Sequence, residues 1–129
     1  MTREGRRAAR ERVLELLYEA ESKDTSAASI IEGLPVAPDE YAWTIAVGVD
    51  DHRKEIDRVI AAHLRGWTLE RMPAVDRALL RMATYELLHE TAVPIGVVIS
   101  EAVELASQFS TDDSSRFVNG VLSAIARER

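Results

Sequence analysis

Apolar side chains recur at helical spacing along almost the whole chain, and no segment alternates in the two-residue rhythm of a strand. That rhythm restricts the fold to packed amphipathic helices, because an apolar stripe on a helix has to be covered by another element. A length of 129 residues is enough for one good core or two small fused ones. The sequence therefore predicts an all-α fold in a single domain.

Local signals place the elements. Thr2 is positioned to cap a first helix reaching about Glu21, with Ala9, Val13, Leu16, Leu17 and Ala20 as its buried face. Thr25 or Ser26 opens a short helix stopped by Gly33, and Pro35 and Pro38 make the following connector rigid. Asp39 caps one long helix over roughly 40–64, which carries Ala42, Ile45, Val49, His52, Ile56, Val59, Ile60 and His63 inward until Gly66 ends it. Pro73 suits the first turn of a helix running to about Glu90. Pro94 opens the next one. Asp112, Asp113 and Ser114 are the candidate caps of the last, in which Asn119-Gly120 interrupts propensity but not the apolar period.

Charge is distributed unevenly. Residues 1–12 hold five arginines against Glu4 and Glu11, a net of +3 in a chain of net −6, so the remainder carries −9. Arg3, Arg6, Arg7 and Arg10 fall at i, i+3, i+4 and i+7, which on a helix makes one cationic edge. Cations at a helix start oppose the macrodipole, so stability alone does not favour them there. An anionic partner such as RNA or DNA does. Arg7, Leu14 and Tyr18 continue along nearly one line, putting an aromatic ring after the cations. That combination can hold phosphates and stack a base, although a rim residue closing the core is the plainer role for Tyr18. Trp43 and Trp67 read as packing anchors.

Other chemistries find little support. The chain has no cysteine, which excludes disulfides, thiolate metal sites and cysteine nucleophiles. No apolar run approaches the roughly 20 residues that span a bilayer, and acids interrupt the segment after the N-terminal arginines, so a cytoplasmic protein is expected. His52 and His63 are separated by three turns of one helix, too far to share an ion, so no metal or cofactor is assigned. Asp50-Asp51 and Asp112-Asp113 read as solvated residues and caps. With no phosphate loop and no nucleophile elbow, no enzymatic activity is expected.

Six collinear strings then narrow the reading: Trp67-Thr-Leu-Glu-Arg71, Val75-Asp-Arg-Ala-Leu-Leu-Arg81, Tyr85-Glu-Leu87, Val93-Pro94, Ser100-Glu-Ala-Val-Glu-Leu-Ala106 and Phe117-Val-Asn-Gly-Val-Leu122. With Arg6-Arg-Ala-Ala-Arg10 and Leu17-Tyr18 they resemble the NusB transcription antitermination factor family over essentially the whole chain. Ser100 stands where that family usually has Asn, and segment 22–40 follows none of its patterns.

The resemblance implies two small helical bundles of about seven helices in all, divided here near Gly66 into 1–66 and 67–129 of a single NusB-like domain. It implies pairing with NusE, a small-subunit ribosomal protein, and binding of boxA single-stranded RNA in nascent transcripts, especially ribosomal RNA leaders. Other Nus factors and RNA polymerase would be met indirectly. The implied RNA surface comprises Arg3, Arg6, Arg7 and Arg10, with Tyr18 nearby and Asp113, Ser114, Arg116 and Phe117 from the last helix. Glu70 and Asp76 are implied for the protein partner. Two other readings stand beside this one. A self-associating helical adaptor would leave the arginines idle, with Leu14 exposed at a homodimer surface. RNA cytosine methyltransferases also carry a NusB-like domain, but their catalytic cysteine and the cofactor-binding half are not present here.

Overall fold

Four side-chain oxygens fix four helix starts in the computed structural model, which describes residues 2–128. Thr2 accepts from the Gly5 amide, Ser26 from Ser29, Asp39 from Ala42 and Thr111 from Ser114. Each satisfies an amide the helix cannot, a contribution of about 1 kcal/mol. The helices are α1 (Arg3–Ser22), α2 (Ala27–Glu32), α3 (Glu40–Asp51), α4 (Arg53–Ala61), α5 (Ala74–His89), α6 (Ile95–Phe109) and α7 (Asp112–Arg127), with a 3₁₀ turn at Leu69–Arg71. Among the described residues the regular structure is entirely helical. None of these helices is long and apolar enough to cross a membrane.

Two boundaries differ from the sequence reading. The cap of α7 is Thr111, not Asp112, Asp113 or Ser114. The long helix expected over 40–64 is broken at His52, where φ −114° and ψ 20° leave helical geometry. Both the backbone amide and ring Nδ1 of His52 lie 3.0 Å from the Gly48 carbonyl. That places a side-chain donor beside the helical ladder. The Ile56 amide returns to the His52 carbonyl at 2.9 Å, so α4 starts without a loop.

Helix α5 runs through the middle and touches α1, α3, α4, α6 and α7. Residues 78–87 are all buried, so it lacks the polar face of a surface helix. Each fully buried leucine, such as Leu79, Leu80 or Leu87, contributes about 1.5–3 kcal/mol. Four charged residues of α5 each reach a neighbour, whereas the buried Thr84 hydroxyl has no hydrogen-bond partner. Asp76 accepts from Ser114 Oγ of α7 at 2.9 Å, and Arg77 pairs with Glu21 of α1. Arg81 joins Glu21 to Asp57 of α4, and Glu86 meets Arg10 of α1. Buried charges persist when paired and hydrogen-bonded, and these pairs fix how α1, α4 and α7 sit around α5.

Helix α1 buries Ala9, Val13, Leu16, Leu17 and Ala20, as its period requires. Leu14 is also buried, which removes it from the exposed surface expected for it. Trp43 and Trp67 are about half exposed, at 48% and 53%, so neither is the packing anchor that its residue type suggested.

Candidate nucleic-acid interface

Four of the five arginines of α1, those of the expected edge, point to different surroundings. Arg3 is exposed at the helix start. Arg6 is half-buried, its guanidinium carbon 5.3 Å from the centre of the Tyr41 ring, and its Nε is buried without a hydrogen-bond partner. Arg7 donates from Nη2 to Glu101 at 2.6 Å and also pairs with Glu104, yet its side chain stays 37% exposed. The Glu101 hydrogen bond is the main reason that Arg7 holds its proton more tightly than usual.

Arg10 corrects the picture of one outward cationic edge. It is 2% exposed, with Nε 2.8 Å from Glu86 Oε1 and Nη2 2.7 Å from Glu86 Oε2. Its Nη1 lies 3.8 Å from Glu101, and its guanidinium faces the Tyr41 ring at 5.9 Å. Burial works against this charge, and the hydrogen bonds to Glu86 overcome it, so Arg10 binds its proton more firmly than a free arginine. Burial, followed by the Glu86 carboxylate, pushes the Tyr41 phenol up to about 12. The phenol thus stays protonated and donates to Glu86 Oε2 at 3.3 Å. Arg10 is an internal strut, not a free RNA cation.

The remaining sequence-derived residues separate into distinct places. Tyr18 is 49% exposed in an apolar groove with Leu14, Val75 and Phe109, and Glu11, Glu15 and Glu19 rim it. Those acids repel phosphate, so the ring does not extend the arginine site in the way its linear spacing suggested. Ser114 and Asp76 are both buried. Ser114 Oγ accepts from Ser110 Oγ at 2.9 Å and from Thr111 Oγ1 at 3.0 Å, and gives its proton to Asp76. The two side chains are thus turned toward each other and hold α5 to α7, with little of either open to solvent. Asp113 and Arg116 are exposed and paired with each other. Phe117 is partly buried, in a shallow hollow with Trp67, Met72, Pro73, Asp76 and Asp113. Glu70 is exposed on the 3₁₀ turn.

Of the sequence-derived residues, those open to an anion are Arg3, the partly exposed Arg6 and Arg7 at the start of α1, and Arg116 at the start of α7, which is shared with Asp113. Guanidinium groups bind phosphate in a bidentate manner and stack on planar rings, and the Arg6–Tyr41 contact already uses the second property. Arg7 can exchange its partly exposed carboxylate partner Glu104 for phosphate, because such surface pairs contribute little.

Sequence reading missed Tyr41, Glu86, Glu101 and Glu104, which position the arginines. One signal was available for Glu86: it is the lone acid in the mostly apolar stretch 78–87, and a buried acid needs a cation. Arg10 in turn shares a helical face with Leu14 and Leu17.

The chain matches the model of the NusB family over residues 7–127. It is 38% identical to the solved NusB of T. maritima, with a TM-score of 0.87 over 96% of this chain and 92% of that one. A structure of the antitermination factors NusB and NusE in complex with double-stranded RNA matches at 27% identity and TM-score 0.86, covering 99% of this chain and 100% of that one. NusB from Aquifex aeolicus matches at 28% identity and TM-score 0.81, over 98% and 89%.

Proposed function

We propose, from the premise that this chain belongs to the NusB family, how its surface serves that family's work. The protein is an RNA-binding transcription antitermination factor that pairs with NusE. One observation carries this: the match extends over 99% of the chain to a NusB solved with NusE and RNA. In this reading the protein is not an enzyme. It acts in the cytoplasm by holding boxA RNA of nascent transcripts, above all ribosomal RNA leaders, and meets other Nus factors and RNA polymerase through that assembly.

Arg3, Arg6 and Arg7 supply the phosphate contacts, with Arg116 and Phe117 as a secondary patch. Glu70 lies on the side that meets NusE. Arg10, Ser114 and Asp76 contribute by holding those surfaces in place. About three cations give weak binding alone, so NusE is needed to extend the RNA surface.

The internal pairing of Arg7 and Arg10 favours a second reading, in which α1 is scaffold and the chain associates through its exposed aromatic residues. A filter-binding titration of boxA leader RNA, with and without purified NusE, separates the two. The proposal expects tight binding only with NusE, and weaker binding of a duplex of the same sequence. RNA retention that is unchanged in an Arg3→Glu/Arg6→Glu variant would remove the arginine site.

A further inference from the structure

His52, Glu55 and His89 converge where the α3–α4 junction meets the last turn of α5. One ring nitrogen of each histidine and one carboxylate oxygen of Glu55 all lie within 4.8 Å of one another. The two imidazole centres are 4.1 Å apart, and His89 Nε2 lies 2.8 Å from Glu55 Oε1. From this juxtaposition we infer that His52, Glu55 and His89 form a binding site for a divalent transition-metal ion of the zinc class.

The donor set suits that chemistry. Two imidazoles and one carboxylate are ligands for zinc and its neighbours, leaving a fourth position for water. The histidine pairing that brings donors together is 52 with 89, from different helices, and not the same-face pair 52 and 63. With Nδ1 of His52 donating to the Gly48 carbonyl at 3.0 Å, the lone pair of that ring resides on Nε2. A backbone carbonyl behind the ring is the usual support for a metal-binding histidine, since it sets tautomer and orientation.

Tyr85 forms the wall behind both rings, stacked on His89 at 5.2 Å and tilted against His52 at 5.9 Å. Only a glycine at position 48 leaves room for that ring, because a Cβ there would collide with Tyr85. Asp51 and Glu90 place negative charge beside Tyr85, and Arg58 places positive charge near Glu55. Without an ion, His89 donates its Nε2 proton to Glu55, whose carboxyl is held below its ordinary range mainly by that bond. A metal replaces this hydrogen bond: His89 takes the tautomer with its hydrogen on Nδ1, which frees the Nε2 lone pair for the ion. Ligand bonds of about 2.0–2.2 Å are within reach of side-chain rotation by Glu55 and the exposed His89.

The bound ion ties the break between α3 and α4 to the end of α5, and so raises thermal stability by mass action. The test uses the untagged full chain, stripped with chelator, titrated with Zn(II) by calorimetry and with Co(II) by visible absorption. One ion per chain is expected, with Co(II) ligand-field bands and a higher melting temperature. Imidazole NMR signals of His52 and His89 should shift while those of His63 stay in place. His89→Ala, on an exposed position, and Glu55→Gln should each weaken Zn(II) at least roughly tenfold while the helical circular dichroism is unchanged. Absence of binding at submillimolar Zn(II), binding that H89A and E55Q leave intact, or a response at His63 in place of His52 overturns the site. The trio is then an ordinary histidine–glutamate ion pair with a ring stacked on it.

Discussion

Arg10 and Glu86 meet as a two-pronged ion pair, 2.8 Å and 2.7 Å on its two arms, with both side chains almost wholly out of solvent. The pair joins α1 to the central α5 and sets the direction in which the arginine-bearing first turn emerges. Removing one partner leaves the other charge buried and alone. Arg10→Ala or Glu86→Ala should therefore destabilise the fold by about 3–5 kcal/mol. An apolar double replacement, Arg10→Met with Glu86→Leu, should recover most of that loss. Urea unfolding of the four proteins measures it, and equal instability of the double variant would contradict the assignment.

Charge reversal at Arg3 should act on RNA and not on folding, whereas reversal at Arg6 or Arg7 also disturbs the contacts with Tyr41 and the buried Glu101. Three phosphate contacts predict a slope of log affinity against log salt of about −2, at ~0.7 per contact for a single strand. Arg3→Glu, Arg6→Glu and Arg7→Glu should each reduce that slope, with the urea midpoint nearly unchanged for Arg3. A salt series of filter-binding isotherms provides the comparison. An undiminished slope in the triple variant places the cation contacts elsewhere.

Asp76 and Ser114 should behave as fold residues. Ser114→Ala leaves the buried Asp76 carboxylate without its donor, a loss of about 1–3 kcal/mol. NusE capture by this variant should track the folded fraction, and capture by Glu70→Arg should fall with the melting temperature unaltered. Pull-downs paired with thermal melts tell these apart. A Ser114→Ala protein of normal stability that loses NusE would return this knot to the interface.

Two groups give stability opposite pH dependences. The Arg77 hydrogen bond, with Arg81 adding its charge, holds the Glu21 carboxyl below its ordinary range. The unfolded chain therefore takes up that proton first on acidification. This stabilisation is complete above the usual carboxylate range and is lost as pH falls through the folded value. The His63 imidazole is raised, first by donating to the Val59 carbonyl and then by Glu128. Its contribution is complete below the usual imidazole range and disappears as pH rises through the folded value. Urea midpoints at stepped pH should show Glu21→Gln flattening the acid limb and His63→Gln flattening the neutral-to-alkaline one.

Gly48→Ala tests the packing under Tyr85. The added methyl group would collide with the ring, so overpacking of about 1–3 kcal/mol is expected despite the better helix propensity of alanine. Thermal melts of Gly48→Ala alone and with Tyr85→Leu should show the second change relieving part of the first.

The all-helical class, most helix starts and the α1 core were legible in the sequence, because caps and period are local. The break at His52 was not, since Ile45, Val49, Ile56 and Ile60 keep their period across it while a ring nitrogen reaches the helix's own carbonyl. The arginine edge was half legible. Spacing places Arg6, Arg7 and Arg10 along one side, but which of them is free depends on acids 76 to 97 residues further along the chain. For Asp76 and Ser114, the family motif marked positions that matter without telling contact from support.

The burial of α5 on all sides also bears on synthesis. As a nascent chain leaves the ribosome, Arg10, Glu21 and Asp57 emerge before Arg77, Arg81 and Glu86, which are to neutralise them. The first four helices can form in that interval, and α1, α2 and α3 can meet one another, but the central α5 that completes their core is still missing. Stable closure waits for residue 89 to clear the exit, so the amino-terminal part is exposed to proteases and chaperones until more than two-thirds of the protein has been made.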